Sequence, residues 1–249
     1  MIADFTRGPT YLAKGFSMIT QPGIRGYVVM PLLINILLFG GLLWYGYAQF
    51  NPLIESAMSW VPGWLDFLRW IIWMVVIVLT TIIVFFTFTP FANIVAAPFN
   101  AIMAEKIEEK LTGKNINSGK SLMTIAKDSI ISQIGKLIYI VLWSIGLLLF
   151  SLIPVINIIA PFLWVIFGSW LLSLEYLDYP MGNNDLTFKE QKASLKQRKS
   201  LAMGFGGSVM IITTIPLVNF LAIPVAVAGA TVMWVEQLNK NQALTNANS

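Results

Sequence analysis

The stretch IPVINIIAP, residues 153–161, decides how this chain is read. A near copy, IPLVNFLAIP, stands at 215–224, and a third relative, TPFANIVAAP, at 89–98. All three run Pro, two residues, Asn, two residues, Ala, then a second Pro one or two positions on. The first two copies sit inside uncharged runs of 38 residues (137–174) and 36 residues (200–235). One membrane crossing needs about 20 residues, and two crossings need about 40 before any turn is added. The halves beyond the second prolines, 162–174 and 225–235, hold 13 and 11 residues. At 1.5 Å per residue these reach roughly 20 Å and 17 Å into a core about 30 Å thick. The spacing predicts two re-entrant helical hairpins with Pro154, Asn157 and Pro161 at one tip and Pro216, Asn219 and Pro224 at the other. Backbone opened inside a bilayer must find partners or line a wet cavity. The asparagine amides, with donors and an acceptor each, are expected to bond it. The competing reading is a pair of kinked, full-length crossings.

Composition sets the environment. The chain has 249 residues, 57% hydrophobic and 11% charged, with a mean hydropathy of +0.73. A soluble domain carries about 25% charged residues, so this is an integral membrane protein, and its long apolar runs make it all-α. Cys and His are both absent. That removes disulfides, thiolate nucleophiles, most metal-ligand sets and the usual general base near neutral pH.

Along the chain, residues 1–26 hold no signal-peptide core, so the amino terminus is expected to be retained. GPTYLAKGFSMI reads as a short amphipathic helix beginning at Pro9, with Leu12, Phe16 and Ile19 on one side. It would lie either in the membrane interface or packed on the protein surface. Residues 27–48 and 70–99 are uncharged and predict two long transmembrane helices. Trp44, Tyr45, Tyr47, Trp60, Trp64, Trp70 and Trp73 flank the connection 49–69 as an interfacial belt. After 70–99, Phe99, Met103, Ile107 and Leu111 recur among charges, so the same helix is expected to run on outside the bilayer to a stop at Gly113. Residues 121–136 predict a further amphipathic helix with Leu122, Ile125, Ile130 and Ile134 inward. Together 100–136 form a cytoplasmic helical extension, and 236–249 a polar tail, all within one membrane domain, 1–249.

Charge gives sidedness. Lys and Arg number three in 1–26, one in 49–69, six in 100–136 and five in 175–199. The positive-inside rule puts the crowded segments in the cytoplasm. Only a returning segment 137–174 keeps 175–199 on that side.

Sites are few. LTGKNINSGKSL (111–122) has five residues between its glycines where a phosphate-binding loop has four, so it is read as a polar turn, with no nucleotide bound. Glu105, Glu108 and Glu109 alternate with lysines on a face expected to be solvated. Glu175 and Asp178 are read as ends of an apolar segment. Nothing resembles a catalytic constellation, a metal cluster or a nucleic-acid surface, so no enzyme activity, cofactor or metal is expected. The most suggestive polar stretch is QPGIRGYVVMPLLIN (21–35). Gly23 and Gly26 flank Arg25 just before the first long helix, where free N–H groups and the helix dipole favour an anion. Gly23, Ile24, Arg25 and Gly26 are the candidate anion site. An arginine anchored at lipid headgroups is the alternative. Asn35, Asn93 and the three glutamates are weaker candidates for an ion path.

GIRGYVVMPLLIN, PFANIVAAPFNAIMAEKIEEKLTG and LEYLDYP, taken together over about 5–235, resemble the CysZ family of bacterial sulfate permeases. The resemblance implies an inner-membrane protein that imports sulfate for cysteine synthesis. It implies two long crossing helices plus two pairs of hemi-membrane helices. It also implies sulfate binding at Gly-Ile-Arg, where the family has Gly-Leu-Arg, and oligomers with antiparallel protomers proposed. The expectation is a channel- or uniporter-like permease without ATP. A non-transporting scaffold whose hairpins enter one leaflet is the alternative.

Overall fold

The computed structural model describes residues 2–65, 67–114, 122–154 and 156–239, with backbone alone at 2, 57, 83–94, 122–130, 156, 216, 217 and 220. The polar turn 115–121 and the tail from 240 onward lie outside the described residues. So do the side chains of Asn93, Leu122, Ile125 and Ile130. Eight α-helices occur among the described residues: α1 Ile2–Ile19, α2 Arg25–Met58, α3 Phe67–Thr112, α4 Leu122–Ser151, α5 Ala160–Asn183, α6 Phe188–Gln197, α7 Lys199–Thr213 and α8 Pro216–Met233. The last passes into a π-helical turn, Trp234–Leu238. Among the described residues four stretches are long and apolar enough to cross a membrane: Arg25–Ser56, Ile131–Ser151, Ala160–Asn183 and Leu221–Leu238.

The chain divides into two compact units, one of Val29–Phe99 and one of Met1–Val28 with Asn100–Ser249. In the first, α2 and α3 pair through Tyr47, whose ring stacks on Trp73 at 5.6 Å. Leu37, Trp44, Trp60, Trp64 and Trp70 are exposed, as suits residues that face lipid and headgroups rather than water. Helix α3 runs unbroken from the apolar run through its charged extension. It ends where Gly113 takes φ +68 and gives its N–H to Glu109 at 2.8 Å, a left-handed cap that costs glycine nothing.

The second unit is built on the hairpin α7–α8, with α5 against α7 and α1 laid across the hairpin's base. Small residues permit this. A side chain at Gly204 would strike the Phe5 backbone, one at Gly206 would strike the Ser169 carbonyl, and one at Gly15 would strike the Val225 carbonyl. Ser173 donates to the Ala202 carbonyl across the α5–α7 contact. Close backbone approach of this kind is how helices associate in lipid, where burying apolar surface gains little. Helix α1 starts about two turns before Pro9, which lies inside it. A proline there leaves the carbonyl four residues back without its N–H. That carbonyl belongs to Phe5, and it packs on Gly204. Tyr11, Leu12 and Ile19 are buried, but Phe16 is 52% exposed. The inward stripe of α1 is centred on Gly8 and Gly15, and a reading by hydrophobicity alone misplaces it by one residue.

Helix α4 likewise departs from expectation. It is one helix through the supposed junction at 136, and Ile134 is 54% exposed on its lipid face. The helices flanking the first break also extend past the ends of the uncharged run 137–174. Helix α5 continues past Glu175 and Asp178 to Asn183 because both carboxylates find partners. Lys136 binds Glu175 at 2.6 Å and Asp178 at 3.0 Å, and Gln133 and Gln191 also donate to Asp178. These two acids are therefore an ion cluster that joins the bases of α4 and α5, not helix ends. The basic stretch 175–199 is mostly helical. Helix α6 starts at a capping box in which Thr187 and Glu190 bond reciprocally, with Glu190 receiving the Thr187 N–H at 2.8 Å.

Candidate functional site

The two turns share one construction. At the first, Asn157 sits in a short 3-10 turn, Ile156–Ile158, and gives its backbone N–H to the Ile153 carbonyl at 3.0 Å. At the second, Asn219 gives its N–H to the Ile215 carbonyl at 2.8 Å. In both, the acceptor belongs to the residue before the proline that opens the motif. Pro161 opens α5 and Pro216 opens α8, positions where a missing N–H costs nothing. Pro224 is different: it lies inside α8, about two turns beyond the bend, and does not mark the tip. The asparagine side chains do not bond the opened backbone. Both are exposed, and neither amide has a partner among the described residues. The main-chain N–H of each asparagine does what its amide was expected to do.

The glycine-arginine stretch forms the turn into α2. Ile24 and Arg25 both give their N–H to the Gln21 carbonyl, at 3.1 and 3.2 Å, and Gly23 takes φ +87 to close the loop. Ile24 and Val28 are buried in the same core as Met103, Ala104 and Ile107 of the α3 extension. That anchor fixes the turn and leaves Arg25, the first residue of α2, exposed, its guanidinium without an ion pair or hydrogen bond among the described residues. Gly26 follows, and a Cβ there would meet nothing within 4 Å. The result is an open approach to a helix start beside a guanidinium that no acid among the described residues neutralises. Lys106, in the α3 extension, interacts electrostatically with Tyr27, so a second cation lies near this turn. Its hydrogen bond to Glu109, at 2.7 Å, holds its pKa above the usual lysine value. The sequence reading passed over Lys106 because it looked like one of several solvated lysines.

The other candidates scatter. Asn35, on α2, has its Oδ1 buried with no donor among the described residues. Glu105 is half-buried and Glu109 pairs with Lys106. Glu108 overturns the solvated-face reading: it is only 3% exposed. Its carboxylate takes hydrogen bonds from Asn184 at 2.9 and 3.1 Å and from the Trp234 indole at 3.2 Å, with no cation among these partners. Burial pushes its pKa up, against the two donors that lower it. Glu108 thus ties the α3 extension to the end of α5 and the π-helical end of α8. Three residues after Glu105 and one before Glu109, it lands on the inner stripe with Ala104 and Ile107. Among the described residues no cluster of acids could hold a metal ion.

Long apolar helices and a glycine-packed hairpin define the class: an all-helical, multi-pass membrane protein. Residues 11–224 match the family model described as "Sulfate transporter CysZ/Etoposide-induced protein 2.4", and the chain belongs to that family. A "Sulfate transporter CysZ" of Pseudomonas fluorescens (strain Pf0-1) is 40% identical over 248 residues, which cover 98% of this chain and 99% of the relative. One from Pseudomonas syringae pv. tomato is 40% identical over 240 residues, covering 95% of each. One from Vibrio atlanticus is 41% identical over 239 residues, covering 94% of each.

Proposed function

We propose that the protein is a sulfate permease of the bacterial inner membrane, supplying sulfate for assimilation into cysteine by a channel- or uniporter-like route. The unneutralised Arg25 at the start of α2 carries this reading. A dianion cannot enter hydrocarbon bare, since the Born cost is tens of kcal/mol. It needs fixed donors, and Gly23, Ile24, Arg25 and Gly26 supply a planar fork beside an open helix end.

The hairpins are read as re-entrant on the short apolar length between their charged bases and their turns. Lys136 at the base of α4 meets Glu175 and Asp178 at the base of α5, so both bases share one level. Arg198 donates to Gln237 at 2.7 Å and does the same for α7 and α8. From that level to the turn, α4 (from Leu137), α5 (to Leu174) and α7 each offer roughly 15 apolar residues, about 22 Å, which falls short of the core. The tips would then end inside the membrane with Asn157 and Asn219 exposed there. Broken backbone at that depth needs protein or a wet cavity beside it, which favours a homo-oligomer whose copies cover one another's tips around the anion path.

Radiolabelled sulfate flux into liposomes containing only this protein tests the function. Flux is expected, and Arg25→Ala should weaken sulfate binding several-fold or more, since a charged hydrogen bond contributes about 1.5–3 kcal/mol. Arg25→Lys should recover part of it, lacking the fork. Absence of flux from properly inserted protein would favour the scaffold reading, and unchanged binding in Arg25→Ala would remove the site.

A further inference from the structure

Helix α6 carries a lysine flank. Lys189, Lys192 and Lys196 follow i, i+3, i+7 spacing and lie on one side of the helix, while Phe188, Gln191, Ser194 and Leu195 are buried on another. The flank is placed at the membrane surface. Gln191 donates to Asp178 and the Phe188 N–H to Ser132, which fixes α6 at the level of the Lys136 ion cluster. Lys192 points back along the apolar surface: its Nζ lies 4.8 Å from the centre of the Tyr139 ring and 5.4 Å from that of Phe188. Tyr139 in turn meets Trp143 at 6.2 Å, one turn further into the apolar part of α4. There a groove of about 360 Å³ opens between α4 and α5, lined by Leu142, Trp143, Gly146, Leu147, Phe150 and Leu163. From Tyr139 to Phe150 the helix rises about 16 Å, close to half of a 30 Å core. Cationic flank, aromatic collar and apolar groove therefore follow one another over the depth of a single leaflet.

We propose that these elements form a binding site for one anionic phospholipid, its phosphodiester at Lys192 between Lys189 and Lys196 and one acyl chain in the groove beside Gly146. The nearby acids do not favour a zwitterionic headgroup. Glu190 is engaged by Thr187, and Glu175 and Asp178 are engaged by Lys136, Gln133 and Gln191. That leaves the lysines as the dominant charge facing the headgroup layer.

Native mass spectrometry of the full-length protein in detergent, titrated with phosphatidylglycerol or phosphatidylcholine of matched chains, tests the site. Phosphatidylglycerol should be retained preferentially. Lys192→Gln should cut that preference about fivefold, the effect of one lysine at an anionic surface. Gly146→Leu should lower retention of both lipids alike, because a Cβ there meets nothing within 4 Å and the new side chain fills the groove without disturbing the helices. Equal retention of the two lipids by the native protein, or a preference untouched by Lys192→Gln, overturns the proposal. So does a preference abolished by millimolar sulfate but not by chloride of equal ionic strength, which would make the lysines a site for the free anion. A Gly146→Leu protein that keeps both lipids but changes its oligomeric state would assign the groove to a second copy of the chain.

Discussion

The hairpins α4–α5 and α7–α8 open on the same Ile-Pro-x-x-Asn turn yet live in different surroundings. The apolar stretch of α4 is almost wholly exposed, whereas that of α8 is two-thirds buried. The turn motif fixes the bend and says nothing about what the arms touch. Side-chain size does that. Helix α4 carries Leu, Ile and Trp on its outer face, while α7 and α8 carry Gly204, Gly206, Gly229, Ala226 and Ala230 at contacts. In lipid both kinds of surface are equally apolar, so close approach between backbones decides which hairpin becomes core.

Breaking that close approach should have the largest effect. Gly206→Leu drives a side chain into the Ser169 carbonyl and should cost more than about 3 kcal/mol. Gly146→Leu, on the exposed hairpin, should change stability by less than about 0.5 kcal/mol. Thermal unfolding in detergent compares them, and equal midpoints would sink the size argument. Next come the hairpin bases. Lys136→Met strands Asp178 and Glu175 and should cost about 2 kcal/mol, below the full cost of a broken buried pair because Asp178 keeps Gln133 and Gln191. Lys14→Met removes the exposed pair with Glu236, 2.6 Å long, and should cost at most about 1 kcal/mol. A reversed order would show that the collar of α1 outweighs the α4–α5 cluster.

The tips should respond in function rather than stability. Asn157→Leu and Asn219→Leu remove side chains without internal partners and should shift unfolding by less than about 0.5 kcal/mol. If they border the anion path, sulfate flux falls while binding at Arg25 persists. Unchanged flux in both would separate the tips from the path. The smallest effect is that of Glu108. Its pKa is raised by burial, so the folded state holds the proton more tightly than the unfolded chain. Stability is then full at acid pH and falls as pH rises from the ordinary carboxylate range through the raised value. Glu108→Gln keeps acceptors for Asn184 and Trp234 and should unfold at a higher temperature than the native protein at pH 8, with the gap closing toward pH 4. A gap independent of pH would mean that Glu108 does not titrate in that window.

Much of the helical plan was legible because apolar run length and proline position act locally. Gly113 as the end of α3 and the bends after Ile153 and Ile215 follow from backbone rules alone. That Arg25 stands at the start of α2 could be read because glycines flank it just before a long apolar run. Three features needed the third dimension. Glu108 reads like its neighbours until Asn184 and Trp234 arrive from elsewhere in the chain. Helix α5 outruns its uncharged stretch only because Lys136 waits beside Glu175 and Asp178. Phe16 lost its place to glycines whose packing value is invisible to hydrophobicity. Helix α6 was the one available signal left unused, since Thr187 and Glu190 announce it in sequence.

Helix α1 rests on glycines of α7 and α8, and its ties run across the whole chain: Lys14 to Glu236 spans 222 residues and Asp4 to Arg198 spans 194. Helix α1 therefore docks on a helix made about 200 residues later. At 5–20 residues per second, roughly 10–40 s separate the two. Through that interval α1 has no seat, and its amphipathic face can wait only on the membrane surface. Docking of α1 waits for α8, and a chain halted before α8 would leave α1 undocked, a tag by which quality-control proteases could tell finished copies from unfinished ones.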